Sequence, residues 1–179
     1  GQVAHRLEPR GCKTLNVRVL VGATPISLFL CVLLGISPTA RSSTLQTCTN
    51  YHCDAMMVVM LNPVEWLQVK QLFRDVGSAV EERERIARAI GLLERFVGPK
   101  NGTAIDRGRN PPDVAPDGQL DCIAESTNST AYLQRLQAEG LLKWHHVEER
   151  VARHRWLVAT HWTAVITDRD GVQYAVDSW

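Results

Sequence analysis

The chain has 179 residues, of which 45% are hydrophobic and 22% are charged, a composition typical of globular proteins that excludes wholesale disorder. Its 20 basic and 19 acidic residues give a formal net charge of +1. A protein that neutralises many phosphates normally has a basic excess, so we expect no nucleic-acid partner. Five cysteines are too few for a fold held together mainly by disulfides.

A basic stretch followed by an apolar run occupies the N-terminus. Four basic residues within the first 18 positions precede residues 19–40, which carry no charge. This pattern predicts that residues 1–42 are a cleaved signal peptide or an uncleaved membrane anchor that contacts the membrane through residues 19–40. A buried core helix is the remaining alternative. The basic residues ahead of the apolar run predict export, to the periplasm or to the outer side of the bacterial inner membrane.

Residues 43–179 form the expected soluble part, a single domain. Residues 1–42 hold five of the 20 basic residues and one of the 19 acidic residues, so the remainder has a net charge of −3. A moderately acidic balance suits a soluble exported domain and again argues against nucleic acid.

Cysteine usage agrees with export. Cys48 and Cys53 lie just after the N-terminal segment and can close a small disulfide loop in an oxidising compartment. Two free thiols, or a metal site recruiting His52 and Asp54, are the alternatives. No second ligand pair with zinc spacing follows, so we expect a disulfide and no metal. Cys122 is then the odd cysteine, where a reactive thiol should be sought.

Two helices are predicted in the middle of the chain. Residues 55–61 form a short apolar run, a strand or a buried lead-in, and Asn62-Pro63 then caps and starts a helix. A second helix is predicted from Ser78 to Val97, with Ser78 and Glu81 as a capping box and Gly98-Pro99 as its end. The charged residues at 81–85 are expected to form a solvent-exposed face of this helix. Residues 99–120 are predicted to be a long loop.

A third helix is predicted to begin at the remaining cysteine. Asp121 is a suitable cap and Gly140 a suitable end, which places Cys122 at the first helical position. Unpaired N–H groups and the positive end of the helix dipole lie there, and both stabilise a thiolate. The same N–H groups are suited to holding an oxyanion. A buried, inert cysteine is the alternative.

A β-hairpin is predicted to carry the partners of this thiol. One strand contains His161, a turn is formed by residues 168–171, and the returning strand ends near Asp177. With a three-residue loop, Thr163 opposes Asp177, and His161 lies diagonally beside Asp177 on one face. A two-residue turn would place His161 and Asp177 on opposite faces. The first register permits a Cys122–His161–Asp177 triad of nucleophile, base and orienting acid.

Three sequence segments carry a family resemblance: Asp121-Cys122 opening a helix, His161-Trp-Thr-Ala-Val-Ile on a strand, and Tyr-Ala-Val-Asp177-Ser-Trp on the next. Together they resemble the transglutaminase-like branch of the papain-like cysteine enzymes. The region from Cys48 onward also resembles uncharacterised exported proteobacterial proteins.

The resemblance implies an α+β fold in which N-terminal helices pack on a small antiparallel sheet with a papain-like core. It implies a thioester intermediate, a peptide or protein substrate, and no cofactor. Papain-like folds usually continue beyond the equivalent of Asp177, so we expect the sequence to be truncated at its C-terminus.

Two further residues are weak candidates for oxyanion or supporting roles. Gln119 lies just ahead of Cys122, with a solvated loop residue as the alternative. Asn128 is unusual inside a helix, which indicates a hydrogen bond to a loop. The function these patterns favour is an exported thiol peptidase, amidase or transglutaminase. An inert relative that binds peptide or cell-envelope material, and a membrane-anchored structural protein, are the alternatives.

Overall fold

The computed structural model describes residues 43–107, 117–155 and 159–177. The predicted N-terminal signal or anchor, part of the predicted long loop and the last two residues lie outside these ranges. Three helices and two small antiparallel sheets make the described part an α+β fold, as expected. The elements are, in chain order, β1 (Ser43–Cys48), β2 (Met56–Leu61), α1 (Pro63–Gln71), α2 (Ala79–Asn101), α3 (Cys122–Ala138), β3 (His145–Arg155), β4 (Ala159–Asp168) and β5 (Gln173–Val176).

The first sheet is a two-stranded hairpin. β1 pairs antiparallel with β2 in the register Ser43↔Leu61 to Cys48↔Met56. Only alternate side chains of β2 are buried, Val59 and Leu61, whereas Met56, Met57, Val58 and Met60 are exposed. The apolar run at 55–61 is therefore a strand with one buried face, and its methionines are not core residues.

The helix starts are set by local capping. The Asn62 side chain accepts hydrogen bonds from the N–H groups of Val64 and Glu65, and the Glu65 carboxylate accepts from the N–H of Asn62. This is the reciprocal capping box that stabilises a helix N-terminus. At α2 the Ser78 hydroxyl accepts from the Glu81 N–H, as predicted, but the Glu81 carboxylate accepts from Gly77 instead of Ser78.

The end of α2 differs from the prediction. The helix continues through Gly98 and Pro99 to Asn101 and stops at Gly102, whose φ of 86° is the left-handed conformation that suits glycine. Pro99 has no N–H to donate to the carbonyl four residues earlier, so the last turn of α2 has one backbone hydrogen bond fewer. A Cβ on Gly98 would lie 3.0 Å from the Ala104 Cα, so this glycine permits close packing and does not end the helix.

α3 packs against strands of both sheets. It contacts β1 on one side and β3 and β4 on the other. Tyr132, Leu133 and Leu136 enter the main core with the buried residues Ala164 and Ile166 of β4. The predicted cap and end of this helix are both observed. Asp121 accepts from the Ala124 N–H, and Gly140, with φ of 69°, follows the last turn.

The second sheet has the strand order β3-β4-β5. The β4–β5 register runs from Ala164↔Val176 to Thr167↔Gln173, which is the three-residue-loop alternative. The Asp168 N–H donates to the Val172 carbonyl at 3.0 Å, and Gly171 takes φ of 81°. β3 was not predicted. Its sequence, HHVEERVARHR, carries many charges and forms an edge of the sheet, where charged side chains reach solvent.

Candidate active site

The hairpin register brings His161 and Asp177 together. The Nε2 atom of His161 lies 3.4 Å from the Oδ1 atom of Asp177. The Thr163 hydroxyl also donates a hydrogen bond to that oxygen, because Thr163 opposes Asp177 in the register. The side chains of His161 and Asp177 are each 29% exposed, so this contact is accessible from solvent.

Asp177 has a third partner. The Arg153 guanidinium of β3 donates to its Oδ2 atom at 2.6 Å, and Arg153 faces His161 across the sheet as its Cα partner. One oxygen of the carboxylate therefore contacts Thr163 and His161, while the other is held by a cation. An acid fixed from both sides keeps its orientation, which is the property required of a residue that positions an imidazole.

Cys122 begins α3, as predicted. It is the free cysteine of the described residues and is partly exposed. Asp121, the cap, accepts from the Ala124 N–H, so the N-terminal N–H groups of α3 lie around the thiol-bearing residue.

Cys122 and His161 lie on α3 and β4, two elements that pack against each other. His161, Trp162 and Asp177 line a narrow crevice with Glu125, Ser126 and Ser129 of α3, one to two turns beyond Cys122. Cys122 does not line this crevice, and among the described contacts no hydrogen bond joins it to His161. Hydrogen bonds between nucleophile and base are often longer before substrate binds.

The Arg150 side chain contacts the residue next to Cys122 and the residue next to His161. Arg150 of β3 donates to the Ile123 carbonyl, next to Cys122, at 3.3 Å. Its guanidinium carbon also lies 4.7 Å from the ring centre of Trp162, next to His161. The start of α3 and the His161 segment of β4 are therefore joined by a single cationic side chain.

The two weak oxyanion candidates have other roles. The Gln119 side chain accepts from the Arg107 N–H and donates to the Ile105 carbonyl, so it ties the segment before α3 to the segment that follows α2. It is buried, which corrects the alternative of a solvated loop residue. No hydrogen bond of the described residues joins Gln119 to Cys122, so nothing supports an oxyanion role for Gln119.

Asn128 anchors β1 to α3. Its Oδ1 atom accepts from the Cys48 N–H at 2.6 Å, and its Nδ2 atom donates to the Cys48 carbonyl at 3.2 Å. The expected hydrogen bond from Asn128 is therefore present, but its partner is the end of a strand. Both polar ends of this amide are used by backbone groups, which makes Asn128 a structural residue.

The disulfide loop lies against the start of α3. Cys48 and Cys53 form the predicted disulfide, with Cα atoms 4.9 Å apart. Within the loop, His52 and Cys53 adopt left-handed φ values of 57° and 60°. The His52 Nδ1 atom lies 3.0 Å from a carboxylate oxygen of Asp121, beside Cys122.

Sequence reasoning missed a buried polar cluster centred on Glu82. The carboxylate is fully buried and accepts from the N–H groups of Lys143, Trp144 and His145 and from the His145 ring, at 2.7–3.0 Å. The other ring nitrogen of His145 lies 3.2 Å from an Arg83 nitrogen, which places the ring proton on Nδ1. Glu82 shares the helical spacing of the buried residues Ile86, Ala89 and Leu93, and that spacing could have revealed it.

No family model matches the chain, and no curated protein or solved structure is significantly similar to it. Within 43–107, 117–155 and 159–177, no three His, Cys, Asp or Glu side chains are grouped so as to hold a metal ion. Nor does a helix in this described part have the length and apolar character needed to cross a membrane.

Proposed function

We propose that the protein is a thiol-dependent acyl-transfer enzyme in which Cys122 is the nucleophile, His161 the base and Asp177 the orienting acid. The observation that carries this proposal is the contact between His161 and Asp177 at 3.4 Å. Only one of the two hairpin registers weighed from the sequence allows that contact, and the strand pairing has this register.

The position of Cys122 supports the nucleophile role. A thiol at the first residue of a helix lies beside unpaired N–H groups, which stabilise a thiolate and also an oxyanion formed next to it. The Arg150 guanidinium adds a positive charge within hydrogen-bond distance of the following carbonyl. The helix N–H groups and the Arg150 guanidinium therefore stabilise the negative charge that the Cys122 sulfur carries after it loses its proton.

The chemistry follows from the assigned roles. His161 takes the thiol proton, and the sulfur of Cys122 attacks the carbonyl carbon of an amide. The C–N bond breaks, the departing nitrogen receives the proton from His161, and a thioester remains. Water resolves the thioester in a hydrolase, and a second amine resolves it in a transferase. With Nε2 of His161 turned to Asp177, Nδ1 is the nitrogen assigned to the thiol proton.

A transglutaminase-like core and export belong to the same proposal. The order Cys122, His161, Asp177 on a helix and two adjacent strands agrees with the resemblance noted for these segments. The Cys48–Cys53 disulfide favours an oxidising compartment, because cytosolic thiols are normally kept reduced. N-terminal sequencing of the protein from a cell envelope tests export, with Ser43 expected as the new N-terminus after cleavage of residues 1–42.

Alkylation of Cys122 tests the proposed thiol. Iodoacetamide labelling of the folded protein is measured across pH by intact mass, in the wild type and in His161→Ala. An ordinary free thiol titrates near pH 8.5, and we expect labelling of the wild type to persist well below that pH. The His161→Ala protein should lack this low-pH labelling. His146→Ala is the matched control, because His146 is an exposed histidine of the neighbouring strand.

Two results would contradict the nucleophile role. The first is labelling that follows an ordinary thiol in both wild type and His161→Ala. The second is labelling that requires denaturant, which would make Cys122 a packing residue and favour the inert peptide-binding alternative.

A further inference from the structure

Arg150 lies in an irregular part of β3. The pairing register of β3 with β4 shifts between Glu148 and Val151. Glu149 and Arg150 fall inside this shift, so two residues of β3 face one residue of β4, which is the arrangement of a β-bulge. A bulge bends the strand and redirects a side chain, and bulges are frequent beside active sites.

The Arg150 side chain reaches between the start of α3 and β4. It donates to the Ile123 carbonyl at 3.3 Å, and its guanidinium lies over the Trp162 ring, 4.7 Å from the ring centre. Ile123 follows the proposed nucleophile in sequence, and Trp162 follows the proposed base. The ring contact uses the face of the guanidinium and the hydrogen bond uses one of its five N–H donors, so donors remain for another acceptor.

Arg150 has no acidic partner in the part of the chain that the structure describes. Arg85, Arg135 and Arg153 each have a carboxylate oxygen at 2.6–2.8 Å, whereas no ion pair of the described residues includes Arg150. The Arg150 side chain is only partly exposed, so it has lost part of its hydration without gaining an acid. A guanidinium in this state is suited to a carboxylate, which it binds through two parallel hydrogen bonds.

We propose that Arg150 is a specificity-determining residue whose guanidinium binds a carboxylate of the substrate close to the amide that Cys122 attacks. The substrate class is then a peptide with an acidic side chain beside that amide. The role in substrate choice rests on the proposed function, whereas binding of a carboxylate at Arg150 needs no thiol chemistry. A ligand with a carboxamide in place of the carboxylate lacks the charge and should bind more weakly.

The charge of an alkylating reagent tests the position of this guanidinium. Iodoacetate and iodoacetamide react with the same thiolate, so the ratio of their rate constants at Cys122 does not depend on the thiolate fraction. Both rates are measured on the full chain at one pH by peptide mass mapping, with the urea-unfolded chain as the reference. We expect the wild-type ratio to exceed the reference roughly tenfold, and Arg150→Gln to remove most of this excess.

Two further variants separate the charge of Arg150 from its packing. Arg150→Lys keeps the cation without the planar fork and should keep a raised ratio. Arg169→Gln is the matched control, because the Arg169 guanidinium lies 4.6 Å from the ring centre of Trp144 and donates to the Lys143 carbonyl. These are the same two kinds of contact, made outside the proposed triad and its sequence neighbours, so Arg169→Gln should leave the ratio unchanged.

Peptide binding tests the carboxylate site without the thiol. The full chain carrying Cys122→Ala is titrated with acetyl-Ala-Glu-Ala-amide and with acetyl-Ala-Gln-Ala-amide. The indole N–H signal of Trp162, assigned by its loss in Trp162→Phe, is followed by NMR. We expect the glutamate peptide to shift this signal and to bind roughly tenfold more tightly than the glutamine peptide, and we expect Arg150→Gln to abolish the preference.

Failure of this inference is distinguishable from failure of the proposed function. Equal binding of the two peptides, a wild-type ratio at the reference value, or a ratio unchanged by Arg150→Gln overturns the inference, even when Cys122 is alkylated at low pH. A preference for the glutamate peptide that depends on Arg150, combined with ordinary alkylation of Cys122, contradicts only the enzyme proposal. When Cys122 does not react in the folded protein, the peptide titration alone decides the carboxylate site.

Discussion

Removal of the Glu82 carboxylate should be among the most destabilising single substitutions in the chain. Four donors converge on this fully buried group, three backbone N–H groups from Lys143, Trp144 and His145 and the ring of His145. These bonds fix the chain where it leaves the loop after α3 and enters β3. Glu82→Ala leaves all four donors without the acceptor that they share.

The magnitude follows from the kind of group removed. Each buried donor that loses its acceptor costs about 1–3 kcal/mol, so removing the acceptor shared by four donors should cost about 4 kcal/mol or more. Glu82→Gln keeps the shape and one acceptor oxygen, so its cost should be smaller. Glu84→Ala, one helix position away from the cluster but exposed, should change stability by no more than about 0.5 kcal/mol.

Urea unfolding monitored by tryptophan fluorescence measures these differences, since Trp66 is buried in the core. The expected order of stability is wild type and Glu84→Ala together, then Glu82→Gln, then Glu82→Ala. A Glu82→Ala protein within about 1 kcal/mol of wild type would refute the role given to this cluster.

Two other predictions concern the anchoring of the sheets. Asn128→Ala removes both hydrogen bonds to the Cys48 backbone and should cost about 2–3 kcal/mol in the same unfolding assay, whereas the exposed Gln134→Ala should cost almost nothing. Burial raises the pKa of Glu65, but the Lys100 hydrogen bond and the Asn62 N–H outweigh it and lower the pKa below 4.5. The stability from this pair, at most about 1 kcal/mol, is therefore present above pH 4.5 and lost as pH falls through the lower folded pKa, so Glu65→Gln and wild type should converge in acid. A stability difference that persists unchanged at low pH would contradict this sign.

Local patterns predicted the parts of the fold that depend on a few adjacent residues. Capping residues set the starts of α1, α2 and α3, and residues 168–171 predicted a hairpin turn but left two registers open, of which the structure has the one that joins His161 to Asp177. These features are encoded within four or five residues, so neighbouring sequence is sufficient to recognise them.

The missed features depend on distant neighbours. β3 is rich in charge and is a strand because it pairs with β4, and Gly98 stays helical because Ala104 packs against it. Glu82 is buried because its partners lie about 60 residues later in the chain. Position near Cys122 makes Gln119 a candidate for catalysis, and an asparagine inside a helix makes Asn128 one, whereas the hydrogen bonds of both side chains hold backbone segments in place.

Acylation of Cys122 by an activated ester tests the central claim most directly. The protein is mixed with p-nitrophenyl acetate, and p-nitrophenolate release is followed together with intact mass. We expect a burst of one equivalent per chain and one acetyl group on Cys122 that hydroxylamine removes, with the burst slowed strongly in His161→Ala and abolished in Cys122→Ala. A burst that is absent from wild type, or that persists equally in Cys122→Ala and His161→Ala, would contradict acyl transfer through this thiol.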